Sequence, residues 1–388
     1  MTKLFTFLSF LLPFQLSIHF NKFAPLVFGF SIDYLIPAIF ITDIVVLLLI
    51  IYWFIKKRPK FGKFSKRRIV ITAGIISFVI INTATSTHLV PTVFKWFKFL
   101  ELFLLAMIIK SNKEIKVFDH FIKPLSFSVF IVCLLAISQF INKGSLGGAF
   151  YLLGERALRF SSPGISPHPY STFSHPNSLA GFLFVFSVFL LYFKSKFSDV
   201  FSKNFFYLLL SLIVCVLFLV NSLNVFVSAL LLFFVFKFKV NKRKVVAFLL
   251  VATIATLYIK SGRVVTSSVV ARIKLANASV EIFKTSPLFG VGLNNFIPKL
   301  VSTNIGFENS WQLQPVHNNF LLVLAETGVL GLFGVLAYLF SPYLTFFVLP
   351  ILFTGTFDHY WLTLQQNMLL LTMIIGFTFG NIKQWRKI

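Results

Sequence analysis

The sequence predicts an all-α integral membrane protein of about twelve transmembrane helices with two long external segments, one of them containing an amphipathic helix, and three observations predict it. First, 57% of the 388 residues are hydrophobic and only 12% charged, with a mean hydropathy of +0.88, which is too apolar for a water-soluble domain of this length. Second, apolar runs close to the about 17 to 25 residues needed to cross hydrocarbon recur from one end of the chain to the other. Third, the excess of 36 Lys and Arg over 11 Asp and Glu falls in short clusters between those runs. That is the pattern of cytoplasmic membrane loops, and it argues against a nucleic-acid surface. With no internal repeat or appended soluble segment, residues 1–388 read as a single polytopic membrane domain.

The first run, 4–20, follows one lysine and lacks a small-residue cleavage site, so it is expected to remain as the first span. The second, 34–55, ends at KKRPKFGKFSKRR, residues 56–68, which holds eight basic and no acidic residues. The positive-inside rule puts that loop in the cytoplasm, and both termini with it; two thirds of the Lys and Arg then lie inside. Runs 69–86, 92–109 and 121–141 lead to the first external segment, about 142–177. Runs 178–194, 205–220, 223–238 and 245–260 lead to the second, about 261–317, and runs 318–340, 343–357 and 361–380 complete the set. Loops of that length on a membrane bundle usually carry function. Six of the seven histidines, His19, His88, His168, His175, His317 and His359, fall on the external side. Cys133 and Cys215 lie inside apolar runs as small hydrophobes, so no disulfide or redox chemistry is expected.

Within the runs, ionisable groups are expensive and are expected to pair. Asp43 and Lys98 sit at similar depths from the external ends of their runs, so they can meet, and Lys98 and Glu101 can pair within one helix; Lys95 and Glu326 are the other main charges.

The external segments carry the candidate chemistry. In PVHNNFLLVLAETGVLG, Pro315 to Gly331, His317 stands at the mouth of an apolar helix, followed by Asn318 and Asn319. A helix N-terminus attracts anions and favours neutral imidazole, the form a general base needs, although capping of the span explains the residue equally well. Upstream, Ile273, Ala276, Val280 and Phe283 recur at spacings of three and four, which predicts an amphipathic helix on the external surface. Arg272 on it offers a bidentate grip on phosphate, whereas Lys274 and Lys284 are point charges that lipid headgroups also satisfy. Gly290 and Gly292 follow, where backbone can approach a ligand closely. The first segment ends in YSTFSHPNSLAGFL, with Asn177 or Ser178 placed to cap the next span, and Arg156, Arg159, His168 and His175 make it a second cluster of phosphate or sugar ligands. No two histidines have tight ligand spacing on one helix, so no metal is expected.

STFSHPNSLAGFL, the Arg272 segment leading into SPLFGVGLNNF, and HNNFLLVLAETGVLGL from His317 together resemble the O-antigen ligase and O-antigen polymerase superfamily of bacterial glycan-assembly membrane proteins. The resemblance implies a cofactor-free glycosyl transfer from an undecaprenyl diphosphate-linked glycan donor to a glycan or lipid-linked acceptor, in the bacterial cytoplasmic membrane among its lipids and without nucleic acid. It implies that His317 activates the acceptor hydroxyl and that Arg272 binds the donor diphosphate. Arg159, His168, His175 and Asn318 are the further candidate substrate ligands. The chain departs from the family pattern twice. His168, or further back Arg159, stands where an arginine often precedes the STF-like motif, and Asn224 stands where the family often has an arginine. The expected chemistry is metal-independent, inverting transfer. The alternative is a non-catalytic lipid-linked glycan flippase or transporter, which would be expected to place more polar groups and broken helices at midplane.

Overall fold

The structure, a computed structural model, describes residues 1–57, 65–157, 168–257, 267–303, 305 and 310–380. It is 74% helical with almost no sheet. Helices occur in all the apolar runs, but the first run is corrected at its end and the second at its start. In the run 4–20 only α1 (Thr2–Leu11) forms, because Pro13 has no N–H to continue a helix, and the chain extends instead into β1 (Ser17–His19). Ten residues are too short to cross hydrocarbon alone, so α1 is a half-length helix that buries one face through Phe5, Leu8 and Ser9. β2 (Leu26–Val27) and β3 (Phe30–Ser31) form a small hairpin, and β4 (Ala38–Phe40) pairs antiparallel with β1, Ile18 opposite Ile39. The run 34–55 is therefore helical only from α2 (Ile41–Tyr52) onward. Asp43 sits in the first turn of that helix, where its Oδ2 accepts the Phe40 N–H at 2.8 Å, and is not nine residues inside it.

The remaining helices follow the runs closely: α3 (Lys66–Ala84), α4 (Leu89–Ser111), α5 (Lys123–Asn142), α6 (Pro176–Tyr192), α7 (Lys194–Val200), α8 (Lys203–Val220), α9 (Leu223–Lys237) and α10 (Lys242–Thr256). Then come α11 (Ser267–Thr285), α12 (Phe296–Lys299), α13 (Asn319–Leu339), α14 (Leu349–Phe357), α15 (Tyr360–Thr363) and α16 (Gln365–Gly380). Among the described residues, four helical stretches are long and apolar enough to cross a membrane: α3, α5 with the turn before it, α8 and α13. Counted as one broken span, α6 and α7, bent by 79°, add a fifth. Ile80, Phe97, Phe218 and Phe333 stay largely exposed, the outward apolar surface that a lipid-embedded bundle presents. The free thiol Cys133 packs in the core, while Cys215 is exposed on α8.

Two apolar cores meet near the start of α13. The larger joins α1, α2, α4, α5, α6, α8, α9, α14 and α16, with Tyr360 and Trp361 buried in it. The smaller gathers Val27, Leu35, Leu275, Ile282, Phe296 and Val316 over the N-terminal half of α13. α11 contributes to it through Leu275, Ala276, Ala278, Ser279 and Ile282. Its buried stripe is thus rotated from the expected one, since Ile273, Val280 and Phe283 are only half-buried. The stripe faces α13 rather than a free surface.

The glycines after α11 serve this packing. Gly328 adopts a left-handed φ of 65° and breaks α13, which frees the carbonyls of Ala325 and Glu326. Val291 and Gly292 donate their N–H groups to those two carbonyls at 3.1 Å each, and Asn82 clamps the seam by donating to the carbonyls of Phe289 at 2.7 Å and Glu326 at 2.8 Å. A side chain at Gly290 would collide with the α13 backbone at Glu326 and Thr327. The close approach expected of these glycines is therefore to α13.

Candidate functional site

Asn318 locks the start of α13 in place. Its Oδ1 accepts the N–H groups of Phe320 and Leu321 at 2.9 and 3.1 Å, satisfying two of the donors a helix N-terminus leaves open. Its Nδ2 donates to the Thr356 carbonyl at 2.9 Å and to Thr253 Oγ1 at 3.1 Å, which ties α13 to the end of α14 and to α10. The residue before this cap, His317, is thereby held against the residue just after α14, Asp358.

Asp358 is the hub. Its Oδ1 accepts the His359 N–H at 2.8 Å and lies 3.3 Å from His317 Nδ1, and its Oδ2 accepts from Asn177 Nδ2 at 3.2 Å. Asn177 stands in the first turn of α6, whose N-cap is His175; the Asn177 N–H donates to His175 Nδ1 at 3.1 Å. The N-termini of α6 and α13 therefore both meet at Asp358, and their partial positive charge makes the junction a place for anions. Arg272 on α11 adds a full charge: its Nη1 donates to the Phe357 carbonyl at 3.2 Å. Among the described residues its other N–H groups have no partner.

The hydrogen bonds assign the imidazole protons. An ionised Asp358 can only accept, so His317 Nδ1 carries the proton and donates it as a hydrogen bond, and Nε2 of the neutral ring keeps its lone pair. Thr363 Oγ1 donates to the His359 carbonyl at 3.1 Å and lies 2.8 Å from His359 Nδ1, so that nitrogen must be the donor between them. His175 Nδ1, already an acceptor, leaves an Nε2–H to offer. Burial pushes His359 down to about 3 and His175 down to about 4, so both are neutral near pH 7. Burial alone would raise the Asp358 carboxyl. The hydrogen bond from the His317 imidazole, with the Arg272 guanidinium behind it, outweighs burial and holds Asp358 well below the usual carboxylate range.

His317, with a side chain 16% exposed against 4% for Asp358, is the member that substrate can reach. The rings of His317 and His359 are 5.1 Å apart, and the donor atoms of His317, Asp358 and His359 lie within 4.8 Å of one another, a set that could hold a metal ion.

Of the residues expected from the sequence, the structure brings together His317, Arg272, His175 and Asn318. His168 turns elsewhere, its Nδ1 3.2 Å from the Leu219 carbonyl, and Arg156 pairs with Asp33 at 2.8 Å. Arg159 lies outside the described residues. Asn224 is buried and donates to the Thr354 carbonyl at 3.2 Å, bracing α9 against α14. Sequence reasoning did not single out Asp358, nor His359 as its neighbour. The available signal was an Asp-His pair interrupting two apolar runs.

Comparison with known proteins comes to the same segment. A family model described as O-antigen ligase matches residues 175–336, from His175 through Arg272 and His317 into α13, and stops short of Asp358 and His359. No curated protein matches the chain.

Proposed function

We propose that this chain, a member of the O-antigen ligase and polymerase superfamily, is a glycosyltransferase that moves a glycan from an undecaprenyl diphosphate-linked donor to an acceptor hydroxyl at the external face of the bacterial cytoplasmic membrane. The observation that carries the reading is the His317–Asp358 contact, which spends one imidazole nitrogen on a buried carboxylate and leaves the other as a base beside two helix N-termini and Arg272. His317 Nε2 takes the acceptor proton as the acceptor oxygen bonds to the anomeric carbon. The bond from that carbon to the diphosphate oxygen breaks, and its electron pair leaves with the diphosphate. Displacement from the opposite side inverts the anomeric centre.

Arg272 and the ends of α6 and α13 stabilise the departing charge, and the His175 Nε2–H adds a neutral donor. Asp358 fixes the tautomer of His317 and stabilises it when protonated, while Asn318 positions it. The positive-inside count supports an external site, with both termini cytoplasmic. The donor set of His317, Asp358 and His359 favours a second reading, in which a bound metal ion supplies the positive charge.

The test is transfer by the full chain in liposomes, given an undecaprenyl diphosphate-linked glycan and a hydroxyl acceptor, with and without a chelator. Inverted product formed in the presence of chelator is expected. Movement of the donor across the bilayer with no new glycosidic bond would replace this reading with a transporter.

A further inference from the structure

A cavity of about 720 Å³ opens beside the junction and runs between the β1–β4 region, α4 and the start of α16. Two of its wall residues also touch the catalytic cluster: the Tyr34 ring stands edge-on to His359 at 5.4 Å, and Thr363 shares its hydroxyl with His359. Amide and hydroxyl groups such as Gln15, Ser174 and Asn294 alternate with the aromatic rings of Tyr34, Phe40 and Tyr151. That mixture suits a sugar, whose hydroxyls need hydrogen bonds and whose C–H face packs on rings.

The charges of the wall do not all cancel. Lys98 pairs with Asp43 and Glu101, and Arg156 with Asp33 at the mouth. The Glu155 carboxylate is turned back into its own loop, accepting from Leu146 N–H, Gly147 N–H and Gln139 Nε2 at 2.7 to 2.9 Å. Lys95 is different. Among the described residues it makes no ion pair, and its one neighbour at hydrogen-bonding range is the Met368 thioether at 3.5 Å. Glu326, across from it, accepts the Phe296 N–H at 3.2 Å instead. Glu326 attracts the ammonium from across the bundle and the Phe99 ring lies 5.9 Å from it, but neither takes up its N–H donors, so an ammonium that faces a cavity with only a thioether in hydrogen-bonding range keeps donors for a ligand.

We infer that this cavity is a saccharide subsite for an acidic sugar, and that Lys95 is the specificity-determining residue that reads its anionic substituent. The inference rests on the transfer reaction proposed above, because the cavity ends at Tyr34 and Thr363, beside the reacting groups. A uronic-acid carboxylate and a sugar phosphate offer the same chemistry to an ammonium; a neutral glycan does not.

The experiment measures binding to the full chain in detergent micelles by saturation-transfer NMR, using methyl β-glucuronoside, methyl β-glucoside and methyl β-glucoside 6-phosphate. The parent should bind at least one anionic glycoside about tenfold or more tighter than the neutral one, the size of one hydrogen bond to a charged group, and which one it prefers identifies the substituent. K95M should erase that preference while still binding the neutral glycoside, and K95R should keep most of it. Equal binding of anionic and neutral glycosides, a preference that survives K95M, or no binding of any of the three would overturn the inference. Should K95M fail to fold, the parent's own ratio decides. H317A should keep the preference while its transfer falls by about 10²-fold or more, so a failure of the catalytic reading and a failure of this one give different results.

Discussion

Two groups of buried ionisable residues in this molecule look alike by composition and behave oppositely. Between α2 and α4, Asp43, Lys98 and Glu101 pair with one another inside the bundle: Lys98 bridges both carboxylates, Asp43 also accepts from Gln365 Nε2 at 2.5 Å and from the Phe40 N–H, and Glu101 Oε1 is left buried without a hydrogen-bond partner. At the junction of α6, α13 and α14, Asp358 is equally well satisfied, but the groups around it keep capacity in reserve: His317 Nε2, the His175 Nε2–H and most of the Arg272 guanidinium. The first set holds helices together. The second is equipped to meet a ligand, because its unspent positions gather around the partly exposed His317 while the unpaired Glu101 oxygen is shut inside the bundle.

The comparison is broken most severely at His317. H317A should cut transfer by about 10²- to 10⁴-fold, the usual cost of losing a general base, with little change in thermal unfolding because the side chain is partly exposed. Transfer at the parent's rate by a well-folded H317A would make His317 a structural residue like Lys98. The complementary change, D43N or K98M, should leave the rate per folded molecule intact and destabilise the fold by about 3–5 kcal/mol, because it strands a buried charge. Denaturant unfolding of the purified protein checks this, and a stable but inactive K98M would erase the distinction.

Arg272 sharpens it further. R272K should lose about tenfold or more in transfer and resemble R272A, since an ammonium does not reproduce a guanidinium held by the Phe357 carbonyl while gripping a diphosphate. Full activity in R272K, measured in the same reconstituted assay, would reduce the contact to general attraction.

The junction should also show in the pH dependence of stability. His359 and His175 have folded values near 3 and 4, below the about 6.5 of an unfolded imidazole. Their contribution is complete above pH 6.5. As pH falls through the window from about 6.5 towards 4 and 3, the unfolded chain takes protons that the folded one refuses, so stability drops by about 1.4 kcal/mol per pH unit for each group. Melting curves between pH 7 and pH 5 should be shallower in pH for H359Q than for the parent; equal slopes would place His359 in a wetter setting. The smallest expected effect is that of chelation, which should leave the transfer rate unchanged. A chelator-sensitive rate restored by a divalent ion would give the His317, Asp358 and His359 cluster to a metal.

The apolar runs made most helices legible in the sequence, because the cost of exposing backbone in hydrocarbon leaves little other choice for such segments. They misjudged the end of α1 and the start of α2. Composition was apolar there too, but Pro13 and the pairing of Ile18 with Ile39 favour extended chain. His317 and Arg272 were legible as well, since a histidine at a helix mouth and an arginine on an amphipathic helix carry their chemistry in their type. Asp358 was not, because an isolated carboxylate in a short turn has no meaning until its neighbours are known.

Sequence alone determined a helical, membrane-suited chain with its candidate site residues at helix ends, and the chemical capacities of an imidazole and a guanidinium. Tertiary structure decided which groups cooperate. His317 and Asp358 are 41 residues apart and meet because the Asn318 amide fastens the start of α13 to the end of α14. α11 reaches the same junction because the break at Gly328 gives the segment after it two carbonyls to hold. Hydrogen-bonding capacity belongs to a residue, but whether it is spent or left open depends on which partners the fold delivers within about 3 Å.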